Sequence, residues 1–216
     1  FLMATLTVSL AARHARAETV EEILAKVDAT LTNVSDSVYD GQLKVHRNGK
    51  VIKTITFQAK LKGLTMKRIT FTEPGDIRGM QMLTTDSGLM YVYLPSYKRG
   101  RRVASHVLNQ GFMGSDISAD DMSATTYSKG WDVKLSGEDE TNWILSLKPK
   151  PENKTTYGAL KLTVVKKYGA VAKVEFFSPQ GKHVKTQVRE KFTQFGKSGQ
   201  QVTIPTLFTV HNLQTG

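Results

Sequence analysis

The 216-residue chain contains no cysteine, which removes disulfide frameworks, thiolate nucleophiles and cysteine metal sites at one stroke. It also leaves an exported chain no cysteine through which to be lipid-anchored. Carboxylates are scarce: 19 Asp and Glu stand against 30 Lys and Arg, a formal net charge of +11. That balance favours anionic partners such as nucleic acid, lipid headgroups or an acidic protein face. The opening FLMATLTVSLAARHARAE is apolar but too short and too interrupted, by Arg13, His14 and Arg16, for the roughly 20 residues of a membrane span. It closes on Ala15-Arg16-Ala17, the A-x-A pattern that signal peptidase cuts. Residues 1–17 are expected to be a secretory signal peptide that lacks its own start, and residues 18–216 one exported domain. The periplasm of a two-membrane bacterium is the simplest destination, which makes nucleic acid the least expected anionic partner.

Catalytic and metal-binding patterns are missing as well. No G-x-S-x-G occurs, and Gly114-Ser115-Asp116 lacks the flanking glycine of a nucleophile elbow. His46, His106, His183 and His211 show none of the HxH, HxxxH or HExxH spacings. Asp116, Asp120 and Asp121 do not form a D-x-[DN]-x-[DN]-G calcium loop and read better as capping or solvated carboxylates. No enzyme, no metal and no cofactor is expected. The sequons Asn33-Val34-Ser35 and Asn153-Lys154-Thr155 would matter only in a eukaryotic secretory pathway.

What is present is one long helix and many strands. Thr19 and Glu22 form a T-x-x-E capping box, and Val20, Ile23, Leu24, Val27 and Leu31 recur at helical spacing over Thr19–Asn33. Asn48-Gly49 suits a two-residue type I′ hairpin turn. Beyond it Val51, Ile55, Phe57, Ala59 and Leu61 alternate with polar neighbours. Further strands are predicted at 65–72, 78–84, 89–94, 131–136, 143–148, 159–166, 170–177, 182–195 and 201–210, separated by Gly, Pro, Asp and Ser turn signals. About ten or eleven strands with one helix predict a mostly β (α+β) domain, a curved antiparallel sheet or incomplete barrel with the helix across its opening. The stretch from Ser96 to Gly130 reads as the one long irregular segment, with a short helix at Ser118–Ala124.

That segment holds Lys98, Arg99, Arg101 and Arg102 within five residues. Four readings compete: a solvated turn, a nonspecific phosphate grip, a surface that docks an acidic partner or lipid headgroups, and internal pairing with the three aspartates. Met66, Met80, Met82, Met90 and Met113 gather in the same half of the chain, as core filler or as the adaptable wall of a pocket for flexible chains.

IRGMQML (Ile77–Leu83), MYVYLPSYKRGRRV (Met90–Val103) and FMGSDISADDM (Phe112–Met122), in this order and spacing, resemble the outer-membrane lipoprotein-sorting protein family, relatives of the LolA/LolB carriers. The resemblance implies an incomplete β-barrel whose hydrophobic interior shields acyl chains under a helical lid, without cofactor or catalysis. It also implies a branch that works beside lipid exporters of the RND/MMPL type, and a last strand pair beyond this C-terminus. Partners would be an acylated lipoprotein or envelope lipid, an inner-membrane transporter and an outer-membrane acceptor, with no nucleic acid and a monomeric carrier. Arg68, Arg78 and Arg99 are the candidate counterparts of the arginine that locks the lid in the carriers. The expected cavity lining is Phe57, Phe71, Met80, Met82, Tyr91, Tyr93, Trp143 and Phe176. The expected lid is Ile23, Leu24, Val27, Leu31, Phe112 and Met113, and Lys98, Arg99, Arg101 and Arg102 supply docking. The alternative is a non-carrying interaction subunit of an export complex, its barrel filled by its own side chains.

Overall fold

The computed structural model describes residues 18–104, 111–118, 121, 126–153, 155–196 and 201–214. The N-terminal helix α1, Val20–Thr32, begins as the capping box requires. Thr19 Oγ1 accepts from the Glu22 amide at 3.2 Å, and the Thr19 amide donates to Glu22 Oε2 at 2.8 Å. Its apolar stripe then buries Ile23 and Val27 completely.

Among the described residues twelve strands follow in two meanders. The first sheet runs in chain order through β1 (Asp36–Arg47), β2 (Lys50–Lys62), β3 (Met66–Glu73), β4 (Gln81–Thr84), β5 (Met90–Leu94) and β6 (Arg99–Arg102). The second holds β7 (Trp131–Glu138), β8 (Asn142–Pro149), β9 (Ala159–Val165), β10 (Ala170–Phe177), β11 (His183–Phe195) and β12 (Val202–Asn212), again in order. The short helix α2, Tyr127–Gly130, leads into β7. Every pairing is antiparallel between chain neighbours, so each sheet is a stack of hairpins. Asn48 and Gly49 carry φ of 49° and 73° at the β1–β2 turn, the positive values a type I′ turn needs.

Two expectations are corrected. Among the described residues the strands number twelve rather than about ten or eleven, and they form two separately hydrogen-bonded six-stranded sheets rather than one. The segment from Ser96 to Gly130 is not irregular throughout: Arg99–Arg102, which holds three of the four cations of the basic cluster, is β6, the edge of the first sheet among the described residues. Charge hides the strand from a pattern search, and charge is also what keeps such an edge from recruiting another chain. The expected helix at Ser118–Ala124 lies largely outside the described residues. Its start is visible, since the Ser118 amide donates to Asp121 Oδ2 at 2.7 Å and the Asp121 amide to Ser118 Oγ at 3.2 Å.

Each sheet has its own core. Helix α1 lies on the second sheet, where Ile23 and Val27 join Trp131, Trp143, Leu145, Leu162, Val174 and Phe176 in a cluster of thirteen buried residues with four partly buried ones against it. In the cluster on the first sheet Ile55, Phe71, Met80 and Met82 are buried with nine further apolar side chains partly buried against them, and Val45 and Ala59 are also buried on this sheet. One sheet is sealed by its helix; the apolar face of the other is half covered.

Candidate functional site

The half-covered face is built by strand periodicity. In β1 the even positions from Asp36 to His46 are exposed, and Leu43 and Val45 between them turn inward. Cross-strand partners share a face, so the register carries that face across the sheet: Ala59 opposite Ile69, Ile69 opposite Met82, Met82 opposite Val92. Phe57 faces Phe71 in the adjacent row, their rings meeting edge-on at 6.5 Å. The Phe57 ring lies over Gly41 on the neighbouring strand, where a Cβ would stand 2.5 Å from its Cζ. Glycine is required at this position by the ring above it.

One loop covers part of this face. Phe112–Gly114 form a 3-10 turn, and the Phe112 ring stacks on Phe71 with centroids 5.6 Å apart. Met113 packs beside it on the same cluster, at φ 54°. The turn is closed internally by the Phe112 amide donating to the Ile117 carbonyl at 2.7 Å and by the buried Ser115 hydroxyl donating to the Phe112 carbonyl at 2.7 Å. Its other bonds reach both sheets. Lys53 Nζ of β2 donates to the Met113 carbonyl at 3.2 Å. Asp116 accepts from Asn212 Nδ2 of β12 at 3.0 Å and lies 3.8 Å from Arg47 Nη1 of β1. Asp121 meets Lys185 Nζ of β11 at 2.7 Å and the Tyr157 hydroxyl at 2.7 Å. The ammonium of Lys185 also sits over the Phe176 ring, 5.8 Å from its centroid.

The expected site residues therefore divide. Phe57, Phe71, Met80 and Met82 meet on the first sheet with Phe112 and Met113. Trp143 and Phe176 sit in the sealed second core, with Ile23 and Val27 buried and Leu24 packed against them; Leu31 is half-buried farther along the helix. Tyr91 and Tyr93 alternate with Met90, Val92 and Leu94, which puts them on the opposite face, where Tyr93 is exposed. Helix and loop are thus covers for two different sheets.

The basic cluster divides too. Lys98 occupies the left-handed position ending the Pro95–Tyr97 turn. Arg102 lies opposite Tyr91 on the face away from the apolar cluster, while Arg99 and Arg101 lie opposite Leu94 and Val92 on the apolar face; all four are exposed. Asp116 and Asp121 pair with Arg47 and Lys185 rather than with this cluster, and Asp120 lies outside the described residues. Among the arginine candidates for a lid lock, Arg78 bonds Glu73, Arg68 lies opposite Leu83 on the face away from the apolar cluster, and Arg99 stands on the edge strand β6. The described cationic contacts to the loop come instead from Lys53, Lys185 and Arg47.

Sequence reasoning passed over Lys53, Lys67, Tyr157, Lys185 and Asp28. The Asp28 carboxylate of α1 accepts from the Tyr127 amide at 2.8 Å and the Ser128 amide at 3.2 Å, and also from the Ser128 hydroxyl, capping α2 from a distant element. Lys53 and Lys67 did carry a signal: each continues the apolar parity of its strand. Among the described residues no group of three or more His, Asp or Glu could hold a metal, and no helix is long and apolar enough to cross a membrane.

No curated protein matches the chain. Solved structures do. A DUF1329 family protein from Desulfovibrio piger is 23% identical with a TM-score of 0.78, over 90% of this chain and 85% of that one. An outer membrane lipoprotein-sorting protein domain from Vibrio parahaemolyticus is 21% identical with a TM-score of 0.74, over 91% and 84%. A LolA superfamily protein from Nitrosomonas europaea is 20% identical with a TM-score of 0.72, over 93% and 88%. These likenesses establish the fold, two antiparallel sheets of the LolA type. A family model described as an uncharacterized protein matches residues 63–216, and on that match the chain belongs to the DUF1329 family, built on the LolA-superfamily fold.

Proposed function

We propose that this protein is a periplasmic carrier that shields the acyl chains of a lipoprotein or envelope lipid and passes them between membrane partners. The observation that supports it is the asymmetry of the two sheets: one apolar face is closed by a helix, while on the other Leu43, Phe57, Ile69, Met90, Val92 and Leu94 are only partly buried. Acyl methylenes leaving a membrane cost about 0.8 kcal/mol each if nothing covers them. A 16-carbon chain thus needs cover worth on the order of 12 kcal/mol, and a continuous apolar trough supplies it. On this reading the trough of the first sheet is the acyl site, Phe112 and Met113 are its lid, and α1 is the packed wall of the second sheet. The two sheets would curve as an unclosed half-barrel around the cargo. An inner-membrane lipid exporter would load it and an outer-membrane acceptor would unload it, with no chemical step.

Mass spectrometry of organic extracts tests the reading on full-length protein purified gently from periplasm, beside a Val92→Glu variant that puts a charge in the trough. A stoichiometric acylated species in the wild type that is depleted in the variant is expected. Absence of lipid from the wild type, even after incubation with donor membranes, would make the half-covered face a protein-binding surface and the molecule an interaction subunit of an export complex.

A further inference from the structure

The face of the first sheet turned away from the apolar cluster carries a pattern of its own. One row crosses it from β3 to β6: Arg68 opposite Leu83, Leu83 opposite Tyr91, Tyr91 opposite Arg102. Lys60 of β2 stands opposite Arg68. Like charges directly opposite one another cost a sheet stability, a cost that an anion supplied from outside relieves. Tyr93 lies in the next row, opposite Gln81 and Gly100, and Tyr97 belongs to the turn before β6. Leu83, Tyr93 and Tyr97 are 41%, 38% and 69% exposed, and Lys60, Arg68 and Arg102 are exposed beside them.

Charge is graded across this face. Its β1 carboxylates, Asp36 and Asp40, lie at the far edge, where Gln58 Nε2 donates to Asp40 Oδ1 at 3.2 Å. The rows of Arg68 and Tyr93 hold no carboxylate from β3 to β6. At the β6 margin the cations point both ways: Arg102 on this face, Arg99 and Arg101 on the other, with Lys98 in the turn. Among the described residues no ion pair engages Lys60, Arg68 or these four.

Cations on both sides of one strand suit a protein partner poorly, because it would have to place an acceptor for each of them. They suit a layer of mobile headgroups, whose anions gather around whatever charge is presented. The neighbours of these cations agree with that. An amphipathic tyrosine ring settles at the headgroup level of a bilayer, and arginine and lysine keep their charged heads in the polar layer while their stems lie along apolar surface.

We infer that the β6 margin of the first sheet docks on an anionic phospholipid bilayer, with Arg68, Lys98 and Arg102 against the headgroups and Tyr93 and Tyr97 as interfacial anchors. The formal net charge of +11 steers the whole chain toward such a surface. The docking face lies across the sheet from the proposed acyl trough, so it stands or falls separately from the cargo.

The experiment sediments the full chain with vesicles of phosphatidylcholine alone and of phosphatidylcholine mixed with phosphatidylglycerol. Each Lys or Arg near an anionic surface strengthens binding roughly fivefold. The wild type is expected to bind the mixed vesicles at least about tenfold tighter than the neutral ones and to lose that margin in high salt. Arg68→Gln/Lys98→Gln/Arg102→Gln should lose at least about tenfold in affinity for the mixed vesicles. Lys134→Gln/Lys148→Gln/Lys161→Gln, which takes the same charge from exposed positions of β7, β8 and β9, should lose far less. Tyr93→Ser/Tyr97→Ser should weaken binding while keeping its salt dependence, and Val92→Glu, which disturbs only the trough, should sediment as the wild type does. Equal losses in the two charge variants would assign the binding to net charge and overturn the site. A wild type that binds mixed vesicles no better than neutral ones overturns the membrane docking and leaves the patch to an acidic protein, with the carrier reading untouched.

Discussion

The ammonium of Lys185 on β11 lies 2.7 Å from Oδ2 of Asp121, with side chains only 11% and 2% exposed. Tyr157 closes the triangle, its hydroxyl donating to Asp121 Oδ1 at 2.7 Å and lying 2.9 Å from the Lys185 ammonium. Asp121 also ends the loop that begins at Phe112, so the pair bolts the cover of the first sheet onto the second. Removing one partner strands a buried charge, which typically costs about 3–5 kcal/mol.

Asp121→Ala is therefore expected to lower the melting temperature by on the order of 10 °C, since each kcal/mol moves a domain of this size by roughly 2–4 °C. The double variant Asp121→Leu/Lys185→Met should lose less than either single change, because it removes both charges. Thermal unfolding of Asp121→Ala, Lys185→Met and the double variant decides it. A double variant no better than the singles would mean that the loop is held by other contacts.

The two cores should answer truncation differently. Leu162 is fully buried in the second sheet, and Leu162→Ala should cost about 2–5 kcal/mol, the transfer term plus the cavity left behind. Val92 is only partly buried against the first core, and Val92→Ala should cost under about 1 kcal/mol, close to the range of surface changes. Denaturant titration measures both. If Val92→Ala proves as costly as Leu162→Ala, the first sheet is as fully packed as the second and offers no trough.

Asp139 sets a pH dependence. In the β7–β8 turn its Oδ1 accepts from the Thr141 amide at 2.7 Å, the Thr141 hydroxyl at 3.0 Å and the Asn142 amide at 2.8 Å. The Thr141 amide bond foremost, with those from Asn142 and the Thr141 hydroxyl, holds the carboxyl down at about 2 from its ordinary 3.8. A depressed folded-state value means that the contribution is present above the unfolded value and lost as pH falls through the folded one. The stability gap between wild type and Asp139→Ala should hold from neutral pH to about 4, narrow below it and close near 2. Chemical denaturation across that range, with the carboxyl titrated by NMR, checks the sign; a gap unchanged at pH 2 would assign the residue's contribution to something other than its charge.

The elements were legible where signals are local. The Thr19–Glu22 box, the Asn48-Gly49 turn and the alternation through Ile55, Phe57 and Ala59 each depend on residues within a few positions, and each stands in the structure. What pairs with what across the chain was not legible. Nothing in TVEEILAKVDATLTN says that it lies on β7 and β10 rather than on the strands that follow it directly, so helix and loop read as one lid when they cover two sheets. The face of Tyr91 and Tyr93 turns on a single residue of register, since a shift by one exchanges the faces. Asp121 and Lys185 are 64 positions apart, and only the folded chain brings them together.

Gly41 ties packing to the trough most directly. Its missing side chain lets the Phe57 ring fold over β1, and a Cβ there would stand 2.5 Å from Cζ and 2.7 Å from Cε2 of that ring. The ring is the part that can give way, and on the apolar face its free direction is into the trough. Gly41→Ala is thus expected to cost about 1–3 kcal/mol, the usual range of overpacking, and to reduce acyl occupancy by filling space the cargo needs. Adding Phe57→Leu to Gly41→Ala shortens the obstructing side chain and should restore occupancy even if some stability stays lost. Extracted lipid per protein, measured beside the melting temperature, separates the two effects. Occupancy unchanged in Gly41→Ala despite a fall in stability would place the acyl chains elsewhere on the sheet, away from Phe57 and Phe71.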